Sequence, residues 1–115
     1  MEYNLPKDLL DTWTTALTDG SYEPTDGTMY DECNNGYCAL GVLAHSYYEV
    51  DNEVLNLQSD LTEVVGYRNL PGSLHDGHFR NWIIAMNDDE HLQFNEIAER
   101  LKENVRPSWV FKSIK

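Results

Sequence analysis

GYCALGVLA, residues 36 to 44, decides the fold. From Cys38 to Ala44, seven consecutive residues are apolar or glycine, and no other stretch of the chain is as continuously apolar. An apolar run this short suits either a buried strand or the start of a buried helix. Ala39, Leu40, Leu43 and Ala44 favour the helix, predicted over residues 38 to 49 with Leu40, Leu43 and Tyr47 on one stripe and Ala39 and Val42 widening it. Gly41 costs such a helix about 1 kcal/mol of propensity, so it implies close approach by a neighbouring element.

Working outward, Pro6 opens a predicted helix over residues 6 to 19. Its stripe is Leu9, Leu10, Trp13, Ala16 and Leu17, Asp8 and Asp11 lie near its positive end, and Gly20 closes it. Residues 20 to 37 are rich in turn formers. Asn35-Gly36 predicts a two-residue turn joining Thr28–Asn34 to a strand from Tyr37 onward. That register sets Asn34 opposite Tyr37 and Cys33 opposite Cys38. Residues 50 to 58 read as irregular or a short strand, and Ser59 as the cap of a short helix over Asp60 to Val65 ended by Gly66. Residues 67 to 78 read as loop. Asp76 caps a helix facing inward with Phe79, Trp82, Ile83 and Met86, and Asn87 suits a left-handed end to it. A last helix spans Phe94 to Val105, with Phe94, Ile97, Ala98 and Leu101 buried, and Pro107 stops it. The expected fold is α+β and mainly helical: about four helices with a small β-hairpin, in one layer-packed domain over residues 1–115. A chain of 115 residues can bury roughly 65% of its unfolded surface, so it needs no metal or disulfide to fold.

Charge is placed unevenly. The net charge is -12, with 20 acidic and 8 basic residues. Residues 1–67 hold 13 acids and the single base Lys7; residues 68–115 hold 7 of each. Such a field repels phosphate backbones and anionic membranes, which argues against direct nucleic-acid binding. It attracts a basic protein surface, although acidity also simply keeps small proteins soluble. No apolar run approaches the ~20 residues of a membrane span, and the first residues show no secretory signal, so a cytoplasmic protein is expected.

The residues that could carry chemistry each have a plain structural reading. Cys33 and Cys38 could pair across the turn, but two reduced thiols suit a cytosolic protein better. Zinc would need two further ligands, and His45, His75, His78 and His91 lack the paired spacing. His75-Asp76-Gly77-His78 could supply half of an acid–base site, yet no nucleophile motif accompanies it. The acids of Asn87-Asp88-Asp89-Glu90 lack the spacing of a calcium loop. No cofactor and no metal is expected.

Two segments, GYCALGVLA at 36 to 44 and MNDDEHLQFNEIAERLKEN at 86 to 104, follow a first helix carrying Trp13, Ala16, Leu17, Gly20 and Tyr22. In that order they resemble a family of small, mostly uncharacterised proteins of tailed bacteriophages and prophages. Its members look like a helix ending in glycine, a turn-rich hairpin, a Cys-x-x-Gly-Val-Leu helix and a final Asn-Asp…Phe-x-Glu-Ile-Ala helix. Here Gln93 stands where the family usually has serine or threonine, and Ala39 where a second cysteine is often found. The resemblance implies a setting, the cytoplasm of an infected bacterium, and no established reaction.

The expected function is therefore a non-enzymatic phage accessory protein that binds a host protein with a basic surface, with blocking of a host defence as the concrete form. The expected contact residues are Glu23, Asp26, Asp31 and Glu32, with Tyr30, Tyr37, Asn87 and Trp109. The alternative is a binder of a small molecule such as a nucleotide signal. Its pocket would lie near Tyr30, Tyr37 and Asn87 under a Trp109 lid, and an anionic ligand would require Arg68 and Arg80 to face it. The apolar tail, Trp109-Val110-Phe111 with Ile114, either docks on the core or joins copies of the chain. A hydrolase using His75 or His78 is the third reading.

Overall fold

The computed structural model describes residues 3–108. Six α-helices and five short strands follow in the order β1 (Tyr3–Pro6), α1 (Lys7–Thr18), β2 (Glu23–Pro24), β3 (Tyr30–Asp31), β4 (Gly36–Tyr37), α2 (Ala39–Ser46), α3 (Asn52–Leu55), α4 (Leu61–Val65), α5 (Gly77–Asp88), α6 (Phe94–Asn104) and β5 (Val105–Ser108). The mixed, mainly helical α+β class is as the sequence led us to expect. The helices are more numerous because α3 is a single turn in the segment expected to be irregular or strand.

The GYCALGVLA stretch is the centre. Every residue from Ala39 to Ala44 is buried. A helix that is apolar all round must be enclosed, and α1, α4 and α5 pack around α2. Trp13, fully buried in α1, donates its indole N–H to the Ala39 carbonyl at 2.9 Å. Gly41 is the expected notch: a β-carbon there would run into the Met29 carbonyl oxygen. Cys38 is the cap before α2, and its sulfur accepts from the Gly41 N–H. The helix stops at Ser46, short of the expected residue 49. Glu49 adopts a left-handed φ of 58°, and the Val50 N–H reaches back to the Ala44 carbonyl at 3.1 Å. That bond spans one residue more than the six-to-one bond of a glycine cap, and it closes the helix end in a similar way.

The same device ends α5. Asn87 stays helical and buried. The left-handed residue is instead His91, at φ 53°, with the Leu92 N–H on the Met86 carbonyl. Asp76 caps α5 as expected, accepting from the His78 N–H at 2.8 Å. Asp60, not Ser59, caps α4 by accepting the Thr62 N–H. At the start of α6 the Glu96 carboxylate accepts the Gln93 N–H at 2.9 Å, the acidic half of a capping box. That helix ends at Asn104, one residue before the expected limit, because Pro107 disfavours helix in the residues ahead of it.

The hairpin register differs from the expected one. Tyr30 pairs with Tyr37 and Asp31 with Gly36, which leaves residues 32–35 as the loop. Side chains set this longer turn: the Asp31 carboxylate accepts the Cys33 N–H at 2.9 Å and the Asn34 amide oxygen accepts the Gly36 N–H at 3.0 Å. Such side-chain turns compete with the tight two-residue form. Cys33 therefore does not face Cys38; one is exposed, the other buried, and both are free thiols. On its other edge β4 takes β2 as a parallel neighbour. A second small sheet, unexpected from sequence, joins β1 to β5 in parallel with Leu5 opposite Pro107. Pro6 thus ends a strand and precedes the helix rather than opening it. The expected docking of Trp109, Val110, Phe111 and Ile114 lies outside the described residues.

Candidate functional site

The β3–β4 loop and the α3 segment form one face. The Glu32 N–H donates to the Asn56 side-chain oxygen at 3.1 Å, the Leu57 N–H to the Tyr30 carbonyl at 2.9 Å, and the Tyr37 hydroxyl to the Asn52 side-chain oxygen at 2.7 Å. These bonds hold Asp31 and Glu32 beside Asp51 and Glu53. Glu32, Asp51 and Glu53 are exposed and Asp31 is half-buried. In the same segment Val54 and Leu57 are 49% and 69% exposed, and they stand among three large hydrophobic side chains that the described residues leave open. Leu57 holds a left-handed φ of 62°, fixed by the bond to Tyr30 and by the Gln58 N–H on the Leu55 carbonyl.

The expected contact residues do not gather in one place. Asp31 and Glu32 are on this face. Tyr30 and Tyr37 are buried beneath it, and their hydroxyls are committed to Asn35 and Asn52, so they support the face rather than offer themselves to a partner. Glu23 is exposed on β2. The Asp26 carboxylate meets the imidazole of His91, which lies between α5 and α6, at 3.2 Å. An exposed pair of that kind contributes little to stability. Asn87 is 95% enclosed, with 5% exposure, and it ties three elements together: its amide oxygen accepts the Ala39 N–H at 3.1 Å and its amide nitrogen donates to the Thr25 carbonyl at 2.8 Å. Its amide is thus committed to the scaffold, and the residue also stands at the edge of the cleft beside residues 24–26. Trp109 lies outside the described residues. Asp51, Glu53, Val54 and Leu57 were missed from sequence; the signal was the acidic and apolar mixture of DNEVLNLQ, residues 51 to 58, read there as irregular or strand.

Two clefts open elsewhere. One, of about 400 Å³, lies between residues 24–26 and residues 87 and 91–93. The other, of about 590 Å³, lies between α1 and the end of α2, with Asp19, Tyr22, His45 and Ser46 on its walls. There the Tyr22 hydroxyl and His45 Nδ1 are 2.8 Å apart. Burial, and then the neighbouring Tyr37, raises the Tyr22 phenol above its ordinary range. Neither cleft is lined by Arg68 or Arg80; the Arg80 guanidinium is spent on the Leu74 carbonyl at 2.6 Å. The condition for an anionic ligand is therefore not met in either cleft.

The remaining motifs serve the scaffold. The Asp76 carboxylate caps α5, while His75 packs edge-on against Tyr67. Asp88 accepts from the Gly27 N–H and the Asn87 amide rather than standing open for a cation. Among the described residues, no group of three or more His, Cys, Asp or Glu side chains is placed to hold a metal ion. Burial pushes the Cys38 thiol up to about 11, which leaves it almost wholly protonated near neutrality. An alkylating reagent at neutral pH should modify exposed Cys33 alone, and Cys38 only after denaturation. Intact mass before and after denaturant checks this; two adducts on the folded protein contradict it.

Comparison of the chain with protein-family models, with curated proteins and with solved structures finds no match in any of the three.

Proposed function

We propose that the chain is a non-enzymatic phage accessory protein that binds and modulates a host protein through the face built by the β3–β4 loop and α3. One observation carries this reading: Asp31, Glu32, Asp51 and Glu53 share a face with the exposed Val54 and Leu57, and no basic residue occurs in residues 8–67 to offset them. Lys7, the one base before Arg68, is already engaged with Asp11 at 2.6 Å. An apolar centre rimmed by charge is the usual anatomy of a protein-binding patch, and carboxylates speed encounter with a basic partner. A host enzyme or defence factor that normally holds nucleic acid offers such a surface. The phage setting comes from the resemblance of the two segments alone, and the tail from Trp109 onward is the proposed contact between copies if the chain self-associates. No helix among the described residues is long and apolar enough to cross a membrane.

Pull-down from bacterial lysate at about 50 mM and about 500 mM salt tests the electrostatic part. Capture of a partner at low salt and its loss at high salt is the expected result. Capture that ignores salt, or no partner under either condition, removes it. A second reading, small-molecule binding, is favoured by the 590 Å³ cleft, and its lining suits a cation rather than a nucleotide.

A further inference from the structure

The exposed apolar pair on the face of the β3–β4 loop and α3 says more about a partner than the sign of the charge does. Of the three large hydrophobic side chains that the described residues leave exposed, Tyr67 has its ring edge-on to His75 at 4.5 Å, and the other two, Val54 and Leu57, lie three positions apart in one segment. Their support is rigid. Leu55 between them is fully buried, the Val54 and Leu55 N–H groups donate to the Asp51 carbonyl at 3.0 Å and 3.1 Å, and the Asn56 side-chain oxygen holds the Glu32 N–H. Leu57 keeps a left-handed φ of 62°, which is unfavourable for any residue with a β-carbon. It is 69% exposed, so packing of its own side chain does not offset that strain.

Charge complementarity narrows what can cover this pair. Asp31, Glu32, Asp51 and Glu53 share the face, and residues 8–67 hold no lysine or arginine. A second copy of the chain would set like charge against like, which disfavours self-association through this face. A basic surface is required, and two kinds hold nucleic acid. A duplex-binding surface meets phosphates and the polar edges of bases, and it gives an exposed leucine little to pack on. A single-strand-binding groove sets lysine and arginine along the backbone and aromatic platforms against the bases. Carboxylates beside exposed aliphatic side chains complement the second kind in both respects.

We propose that the partner of this face is a protein groove that holds single-stranded nucleic acid, and that Leu57, with Val54 beside it, takes the place of a stacked base while the carboxylates take the place of phosphates. Leu57 is then the anchor of the interface, held out by a backbone that the fold strains and fixes. This inference rests on the protein-binding reading of the same face and adds to it the class of partner.

The full chain is immobilised, and protein captured from nuclease-treated bacterial lysate at about 50 mM salt is washed and then challenged with two competitors. One is an oligothymidylate of about 16 nucleotides, the upper site size of one single-strand-binding fold. The other is duplex DNA at the same phosphate concentration. The oligothymidylate is expected to release the captured protein and the duplex to leave it bound. Release by both alike, or by neither, overturns the single-strand assignment and leaves the protein-binding reading standing; no capture at all removes both. Leu57→Gly should weaken capture about tenfold, in line with loss of one anchoring side chain from an interface. The same change should raise the thermal midpoint by about 4 °C, because glycine relieves the left-handed backbone. A leucine that served the fold alone would not move the two readouts in opposite directions. Val54→Ser, which leaves that backbone untouched, should weaken capture as well, and wild-type capture by both variants would overturn the role given to the aliphatic pair.

Discussion

Gly41→Ala lowers stability by roughly 3 kcal/mol or leaves the protein unfolded. Two effects compete, and their sizes decide the sign. Alanine is the better helix former by about 1 kcal/mol, so the same change on an exposed helix would stabilise. Here the new methyl meets backbone, not a flexible side chain. It would overlap the Met29 carbonyl oxygen and lie 2.7 Å from the carbonyl carbon. Met29 cannot retreat easily: its N–H is bonded to the Gln58 carbonyl at 2.7 Å, and its own carbonyl takes the Cys38 N–H at 3.3 Å. Overpacking against fixed backbone costs more than the propensity returns. Denaturant unfolding gives the answer directly. An unchanged or raised midpoint would mean that α2 and the strand region do not meet as described.

Asn87→Ala costs roughly 2 to 4 kcal/mol, the sum expected from leaving one buried and one part-buried backbone group without partners. The Ala39 N–H belongs to the first turn of α2, where no helical carbonyl can satisfy it. The Thr25 carbonyl loses its bond from the Asn87 amide, and the turn ahead of β3 loses its tether to α5. Asn87→Leu, which fills the volume but supplies neither bond, should be nearly as damaging. If both variants unfold at the wild-type denaturant concentration, water or a neighbouring group must replace the amide. A large loss would also account for the residue without any ligand-binding role.

The legible parts of the fold were those written in local chemistry. Helix α1 followed from its apolar stripe, α5 from Asp76 and the stripe Phe79, Trp82, Ile83 and Met86, of which Trp82 is only partly buried, and α2 from its unbroken apolar run. Gly41 was readable as a notch because no other reason places glycine in such a helix. The hairpin register was not legible, because Asp31 and Asn34 use their side chains as turn partners and so lengthen a loop that Asn35-Gly36 would have made tight. The left-handed residues Glu49 and His91 were missed for a related reason: neither is glycine or asparagine, and each is set by the backbone bond of the residue after it, Val50 N–H to the Ala44 carbonyl and Leu92 N–H to the Met86 carbonyl. Pairing of β1 with β5 joins four-residue strands about a hundred positions apart, and no local pattern announces it.

The candidate face was half legible. Asp31 and Glu32 stood out by charge. Asp51 and Glu53 could join them only once the Tyr37–Asn52 and Glu32–Asn56 bonds had drawn α3 onto the hairpin. Tyr30 and Tyr37 have the composition of contact residues and the burial of core ones. The Tyr22–His45–Ser46 cleft has no sequence signature, since it forms where the ends of two helices converge.

The most direct test of the protein-binding face compares two charge-swapped proteins of equal net charge. One carries Glu32→Lys, Asp51→Lys and Glu53→Lys on the proposed face. The other carries Glu90→Lys, Glu99→Lys and Glu103→Lys, exposed positions after α5 and on α6. Both are compared with wild type for capture of the same host protein at about 50 mM salt, where exposed charges act over the longest range. The face described here predicts that the first variant loses capture and the second retains it. Equal loss in both would mean that net charge alone draws the partner, and retention in the first would mean that the partner binds elsewhere.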